Sequence, residues 1–279
     1  MAKTERPSTS TSRSTKTSST STSTRTSRST STSTSTSTST STGGAGKKGE
    51  AKGRGSKEAR RVRAKESLAA RRERVLEIVR RLRREYPGAT CSLEHADPYQ
   101  LLVATILSAQ CTDERVNMVT PALFRRYPSP EDLAGARPDE LEEMIKSTGF
   151  FRNKTKSLLG MAGAVTERYR GRIPETMEEL TALPGVGRKT ANVVLGNAFH
   201  TNVGVVVDTH VGRLAQRLGL SASDDPVAIE QDLMKCVPRE DWTDIAHLLI
   251  YHGRAVCRAQ KPRCGDCVLN DLCPSAFKV

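Results

Sequence analysis

The sequence predicts an almost entirely α-helical fold, on three observations. Beyond residue 60, apolar residues recur at spacings of three and four in one segment after another. Pro and Gly fall between those segments at the intervals of short helices. Only Val203–Val207 reads as a strand, and it is too short and solitary to make a sheet.

The chain begins with a different kind of segment. Residues 1–60 contain no Val, Ile, Leu, Phe, Tyr or Trp, so they cannot bury enough surface to offset their ordering entropy. Residues 1–66 are therefore expected to be a disordered, Ser/Thr-rich basic tail. They hold 15 Lys and Arg against 4 acids, a surplus of 11, which leaves only 2 of the net charge of +13 for the rest. Such an arm either tethers the protein to a polyanion such as a nucleic acid backbone or merely solubilises it. Organelle transit peptides share the Ser- and Arg-rich composition but need an apolar face, and the alternation from Ser29 to Thr42 supplies none. With no secretory segment and no membrane-length apolar run, the expected location is the cytosol.

The helices follow in order. Val75, Ile78, Val79 and Leu82 form one stripe on a basic helix ending near Pro87 and Gly88. Further helices are predicted over Leu101–Ser108, Ala122–Tyr127, Asp139–Ser147, Asn153–Arg168, Met177–Ala182, Arg188–Phe199, His210–Leu218, Ala228–Val237 and Thr243–Arg254, with Pro121, Pro128, Pro130, Gly149, Pro184, Gly185 and Pro238 among the breakers. The division expected is a central helical domain near 92–202 and a discontinuous second domain from 67–91 and 203–279.

Seven cysteines, an odd number in a reducing compartment, argue for thiols or metal ligands over disulfides. Cys257, Cys264, Cys267 and Cys273 follow C-x6-C-x2-C-x5-C, close enough for four thiolates to meet round one inorganic centre. Structural zinc usually takes two C-x2-C knuckles and only one is present, so a [4Fe-4S] cluster fits better than zinc, which single-knuckle sites also bind. Between the first two ligands, Arg258, Lys261 and Arg263 make a basic loop suited to phosphate contact, or a solvated loop beside anionic thiolates. Cys91, Cys111 and Cys236 read as small buried hydrophobes.

Leu183–Thr190 (LPGVGRKT) lies between two helical patterns. Gly185 and Gly187 permit a tight helix-to-helix turn and close approach of a phosphate, with Arg188 beside it. A nucleotide P-loop needs Gly immediately before the Lys, where Arg188 stands. Lys189 falls in the first turn of a helix, where the macrodipole disfavours a cation. That placement suits either phosphate binding or a neutral amine nucleophile, which the dipole and Arg188 both favour. Nineteen residues later, Asp208 ends an apolar run where the next helix should start. It is a natural N-cap, and alternatively a carboxylate held at a site as general base or stabiliser of positive charge on a sugar. His210 reads as a packed or backbone-bonded histidine.

The glycine hairpin with its Lys, the VDTH run and the terminal four-cysteine loop together resemble the helix-hairpin-helix DNA glycosylases. LLVATILSAQCTDERVN at Leu101–Asn117, IKSTGFFRNK at Ile145–Lys154, LPGVGRKTANVVLGNAF at Leu183–Phe199 and LIYHGR at Leu249–Arg254 carry the resemblance, which covers about residues 67–279. It implies two helical domains, a six-helix barrel with the helix-hairpin-helix and an iron-sulfur domain, flanking a DNA-binding cleft. It further implies that Lys189 attacks C1′ of a damaged nucleotide through a Schiff base, assisted by Asp208, and that β-elimination then cuts the strand on the 3′ side. Gln110 and Phe150 match the positions that enter the duplex, Phe150 where the best-known member has Leu; an apolar wedge survives that change.

The substrates implied are oxidised pyrimidines and abasic sites in double-stranded DNA, acted on by a bacterial, nucleoid-associated monomer. Sister glycosylases that act on mispaired adenine or thymine lack the lysine, so Lys189 argues against both. A non-catalytic DNA-binding module is the alternative of a different class. Two departures are a segment one residue longer between hairpin and Asp208, and the Ser-Thr tail, which has no family counterpart.

Overall fold

The computed structural model describes residues 66–279, so the tail expected over residues 1–66 lies, apart from Glu66, outside the described residues. The described residues form eleven α-helices: α1 (Leu68–Glu85), α2 (Pro98–Leu107), α3 (Asp113–Arg126), α4 (Pro130–Ala134), α5 (Pro138–Ile145), α6 (Phe151–Tyr169), α7 (Met177–Thr181), α8 (Arg188–Ala198), α9 (Thr209–Arg217), α10 (Pro226–Cys236) and α11 (Trp242–Ala255). They contain no strand, and the fold is all-α as the apolar periodicity predicts.

Their starts carry the expected chemistry. Ser67, Asp97, Thr112, Ser129, Thr176, Asp208 and Asp225 each accept a backbone N–H with the side chain, satisfying donors that the first turn leaves free.

Two hydrophobic cores organise the helices. The first gathers buried residues from Leu93 to Leu195, around α2, in which Tyr99 and every residue from Leu101 to Leu107 are buried. The second joins Val75, Ile78, Val79 and Leu82 of α1 to Val205, to α9, α10 and α11, and to Leu269. Each such side chain contributes about 1.5–3 kcal/mol when fully buried, which is why α1 packs on helices more than 130 residues away in sequence.

Three local expectations change. The strand expected over Val203–Val207 is an irregular segment without a ladder partner; Val205 is buried in the second core, and that packing, not pairing, holds it. Pro121 was expected to break the chain but lies inside α3, whose helix starts nine residues earlier than the predicted Ala122. Thr112 caps that start, and Val116, Thr120 and Leu123 bury one face on both sides of the proline, which outweighs the one hydrogen bond it forgoes. Pro130, also read as a breaker, is the first residue of α4, where its missing N–H costs nothing.

Candidate active site and cluster loop

The hairpin between α7 and α8 presents Lys189. Gly185 takes φ +76°, and a Cβ there would meet the Cβ of Ser157 at 2.5 Å, so both backbone angle and close approach demand glycine. Gly187 is the N-cap of α8 and offers no side chain to its free N–H groups. Lys189 is the second residue of α8, exposed, and its amine makes no hydrogen bond or ion pair among the described residues. Arg188 behaves differently. Its guanidinium forks onto buried Glu230, Nε to Oε2 at 2.9 Å and Nη2 to Oε1 at 3.1 Å. The phosphate contact expected of Arg188 therefore competes with a partner 42 residues away that sequence spacing does not reveal.

Asp208 is the N-cap of α9, and its Oδ1 accepts from the backbone N–H of His210 and of Val211, both at 2.8 Å. Oδ2 has no partner among the described residues. Asp208 and Lys189 line one cleft of about 280 Å³ together with Gln110, and they also share two adjoining depressions. The walls of the cleft come from both cores: Leu93 and Val193 on one side, Val206, Ala246 and Ile250 on the other.

Other polar residues of this cleft are visible only in three dimensions. Asp113 pairs with Arg254 at 2.7 Å, and the other arm of Arg254 reaches the Ser92 hydroxyl at 3.3 Å. His247 Nε2 lies 2.7 Å from Asn197 Oδ1, which can only accept, so Nε2 carries the proton. Burial holds the His247 imidazole below its ordinary pKa, which favours that neutral form. His210, expected to be packed or backbone-bonded, is half-buried with Nδ1 3.1 Å from Arg213, and burial lowers its pKa too.

Gln110 and Phe150, the two expected to enter the duplex, are both exposed and both hold left-handed backbone, φ 54° and φ 48°. Such conformations cost non-glycine residues about 1–3 kcal/mol and persist only where their surroundings impose them. Here the surroundings include Lys154, whose Nζ donates to the carbonyls of Leu107 and Thr148, both at 2.8 Å. One buried ammonium thus ties the end of α2, beside Gln110, to the turn before Phe150. Burial pushes the pKa of Lys154 down, while two carbonyls and the negative end of α2 hold its charge. Its place among Thr155, Leu158 and Met161 on the buried face of α6 was the available signal.

Cys257, Cys264, Cys267 and Cys273 line a single cavity at the end of the chain. Four thiols lining one cavity are the donor set that a [4Fe-4S] cluster takes. Burial, and the charges of the other cysteines, push the Cys267 thiol up to about 11, repulsion that bound iron would relieve. The sulfurs already have donors: Arg217 Nη1 lies 3.3 Å from Cys257 Sγ, and the Leu269 N–H 3.4 Å from Cys267 Sγ. His252 Nε2 is 3.3 Å from Cys267 Sγ, with its Nδ1 3.0 Å from the Tyr86 hydroxyl. In the loop between, Arg258 and Lys261 are exposed without side-chain partners among the described residues, whereas Arg263 donates to the Ala255 carbonyl at 2.9 Å. Of the remaining cysteines Cys236 is buried, and Cys91 and Cys111 are half-buried against the first core.

Residues 103–239 match the model of the HhH-GPD superfamily base excision DNA repair proteins, and residues 257–273 match the iron-sulfur binding domain of endonuclease III. Endonuclease III of Synechocystis sp. is 59% identical over 209 residues, covering 75% of this chain and 95% of the relative. That of Escherichia coli strain K12 is 40% identical over 204 residues, covering 73% and 96%. Among solved structures, a trapped endonuclease III–DNA covalent intermediate matches with a TM-score of 0.68 at 41% identity, over 72% of this chain and 95% of that one. This chain belongs to the endonuclease III family. As a family member it is a base excision DNA glycosylase with AP lyase activity, and its cofactor is a [4Fe-4S] cluster. It binds DNA, as the solved endonuclease III–DNA complexes do. Among the described residues no helix is long and apolar enough to cross a membrane.

Proposed function

We propose that this enzyme excises oxidised pyrimidines from double-stranded DNA with Lys189 as nucleophile and Asp208 as its acid-base partner. The observation that carries this reading is the shared cleft: an exposed amine without a partner beside a carboxylate fixed through one oxygen only. The damaged nucleotide leaves the base stack, and Lys189 Nζ forms a bond to C1′ as the C1′–N bond breaks and the base departs with a proton. The sugar ring opens to an imine on Lys189, a proton leaves C2′, and the 3′ C–O bond breaks. Asp208 accepts the proton that Lys189 sheds on attack and stabilises positive charge at the sugar. The trapped covalent intermediate of an endonuclease III with DNA supports a covalent route here.

In the same reading Gln110 and Phe150 enter the vacated duplex, the amides at Gly185 and Gly187 receive phosphate, and Arg258, Lys261 and Arg263 contact the backbone beside the cluster. Cys257, Cys264, Cys267 and Cys273 hold the cluster, which when bound staples that loop. The cores flanking the cleft support a division into a six-helix barrel near 92–202 and a discontinuous cluster domain over 67–91 and 203–279. The enzyme works as a cytoplasmic, nucleoid-associated monomer.

Borohydride trapping on a thymine glycol duplex tests the lysine. A covalent adduct is expected with the unaltered enzyme and none with Lys189→Gln, which should still bind damaged duplex. Normal nicking by Lys189→Gln would overturn the assignment, and binding without an adduct in the unaltered enzyme would point to a monofunctional enzyme or a DNA-binding module.

A further inference from the structure

The polar groups behind the hairpin converge on one carboxylate. Glu230 of α10 is 5% exposed and accepts three hydrogen bonds: two from Arg188, at 2.9 and 3.1 Å, and one from Asn192 Nδ2 at 2.9 Å. Arg188 and Asn192 are four residues apart and so project from one face of α8, a helix whose buried residues belong to the first core. Glu230 comes from α10, which packs in the second core. The carboxylate therefore bridges the two cores directly behind Lys189, the residue next to Arg188.

Its other contact leads to Asp208. A Cβ at Gly204 would collide with Glu230 Oε1 and with the amide of Asn192, so the backbone of Gly204 rests against the same cluster of polar atoms. Gly204 opens the Val205–Val206–Val207 run that delivers Asp208 to the cap of α9. Lys189 makes no bond of its own to anything among the described residues, so what holds its amine opposite Asp208 is the placement of the two backbones. Glu230 touches both.

We propose that Glu230 is a positioning residue for the Schiff-base chemistry: it sets α8 against the Gly204–Asp208 segment, and Arg188 serves this clamp and not the DNA backbone. The inference rests on the reading of Lys189 as nucleophile and Asp208 as its partner. A buried carboxylate with three donors holds geometry tightly, because loss of its charge leaves a guanidinium and an amide to find new partners. A displacement of about 1 Å at a reacting group costs on the order of 100-fold in rate.

The test uses the full chain with its cluster. Single-turnover trapping by borohydride on an abasic duplex at saturating protein reports the chemistry, and the Kd for a duplex with a tetrahydrofuran abasic analogue, across a salt series, reports binding. Glu230→Gln and Gly204→Ala are each expected to slow trapping about 10- to 100-fold while Kd changes less than about threefold. Arg188→Gln should slow trapping similarly and leave the salt slope unchanged, and adding Glu230→Gln to it should cost little more, since residues that act as a unit are non-additive.

An unchanged trapping rate in Glu230→Gln would overturn the inference. So would an Arg188→Gln variant that traps normally at saturation but binds more weakly with a shallower salt slope, the signature of a phosphate contact. If Glu230→Gln loses the brown colour of the cluster, Arg188→Gln, altered at a half-exposed site, carries the comparison. Lys189→Gln run in parallel separates the two layers. Nicking retained there sinks the nucleophile, whereas nicking lost there with Glu230→Gln unaffected sinks the clamp alone.

Discussion

Asp208 has two jobs that a pair of substitutions separates. Its Oδ1 caps α9 through two 2.8 Å bonds, and its carboxylate lines the cleft with Lys189. Asparagine ranks with aspartate as an N-cap and keeps an oxygen in the same place, so Asp208→Asn loses chiefly the attraction between charge and helix dipole, about 0.5 kcal/mol. Alanine removes the cap itself, about 1–2 kcal/mol. For a folded part of this size, Tm moves roughly 2–4 °C per kcal/mol. Asp208→Ala should therefore melt roughly 2–8 °C lower, and Asp208→Asn within about 2 °C of the unaltered protein.

Both variants lose the carboxylate, so both should turn over about 100-fold or more slowly at saturating DNA, the usual contribution of a positioned proton acceptor. Circular dichroism melts and single-turnover gels on the same preparations make the comparison. Normal turnover by Asp208→Asn would show that the cap alone matters and refute the catalytic role. An Asp208→Ala variant that melts with the unaltered protein would refute the cap. Equal activity loss with unequal melting is the result the geometry demands, since charge and cap are then carried by one side chain but spent on different things.

Two further predictions address Phe150 and the lysine beneath it. Lys154→Met strands the Leu107 and Thr148 carbonyls, at about 1–3 kcal/mol each less the relief of a buried charge, so a net loss of about 2 kcal/mol is expected in urea unfolding; an unchanged midpoint would mean that other donors replace the amine. Phe150 is 62% exposed, so Phe150→Ala should leave Tm unchanged yet weaken binding to an abasic duplex about tenfold, while Phe150→Leu stays within about threefold; equal binding by all three would remove it as a wedge.

What was legible in the sequence was local. The placement of Lys189 in a first turn follows from a glycine pair and the periodicity after it, and the Asp208 cap from an acid at the junction of an apolar run and a helix. The four cysteines lie within seventeen residues and meet in one cavity. Where prediction fell short, the deciding partner was distant or the rule was overruled by packing. Pro121 reads as a stop only if its missing hydrogen bond outweighs the burial of Val116, Thr120 and Leu123, which it does not. Lys154 received no role from the sequence, because the two carbonyls that hold it come from separate turns. Arg188 reads as a free cation beside a phosphate site because Glu230 is 42 residues away.

The charged partners that sequence spacing does not reveal share a direction that bears on the enzyme. The fold turns each of them toward the cleft: Lys154 behind Gln110 and Phe150, Glu230 with Arg188 behind Lys189, Arg254 with Asp113 at its wall. A site that must grip a flexible, extruded nucleotide cannot be held rigid by its ligand, so rigidity has to come from groups behind the reactive surface. Buried ion pairs are poor sources of net stability but strict about geometry, because a partner displaced in a low-dielectric interior finds no water to replace it. A separation follows: Lys189, Gln110 and Phe150 are exposed and have no side-chain partner among the described residues, and the charges beneath them are held by backbone carbonyls or by one another.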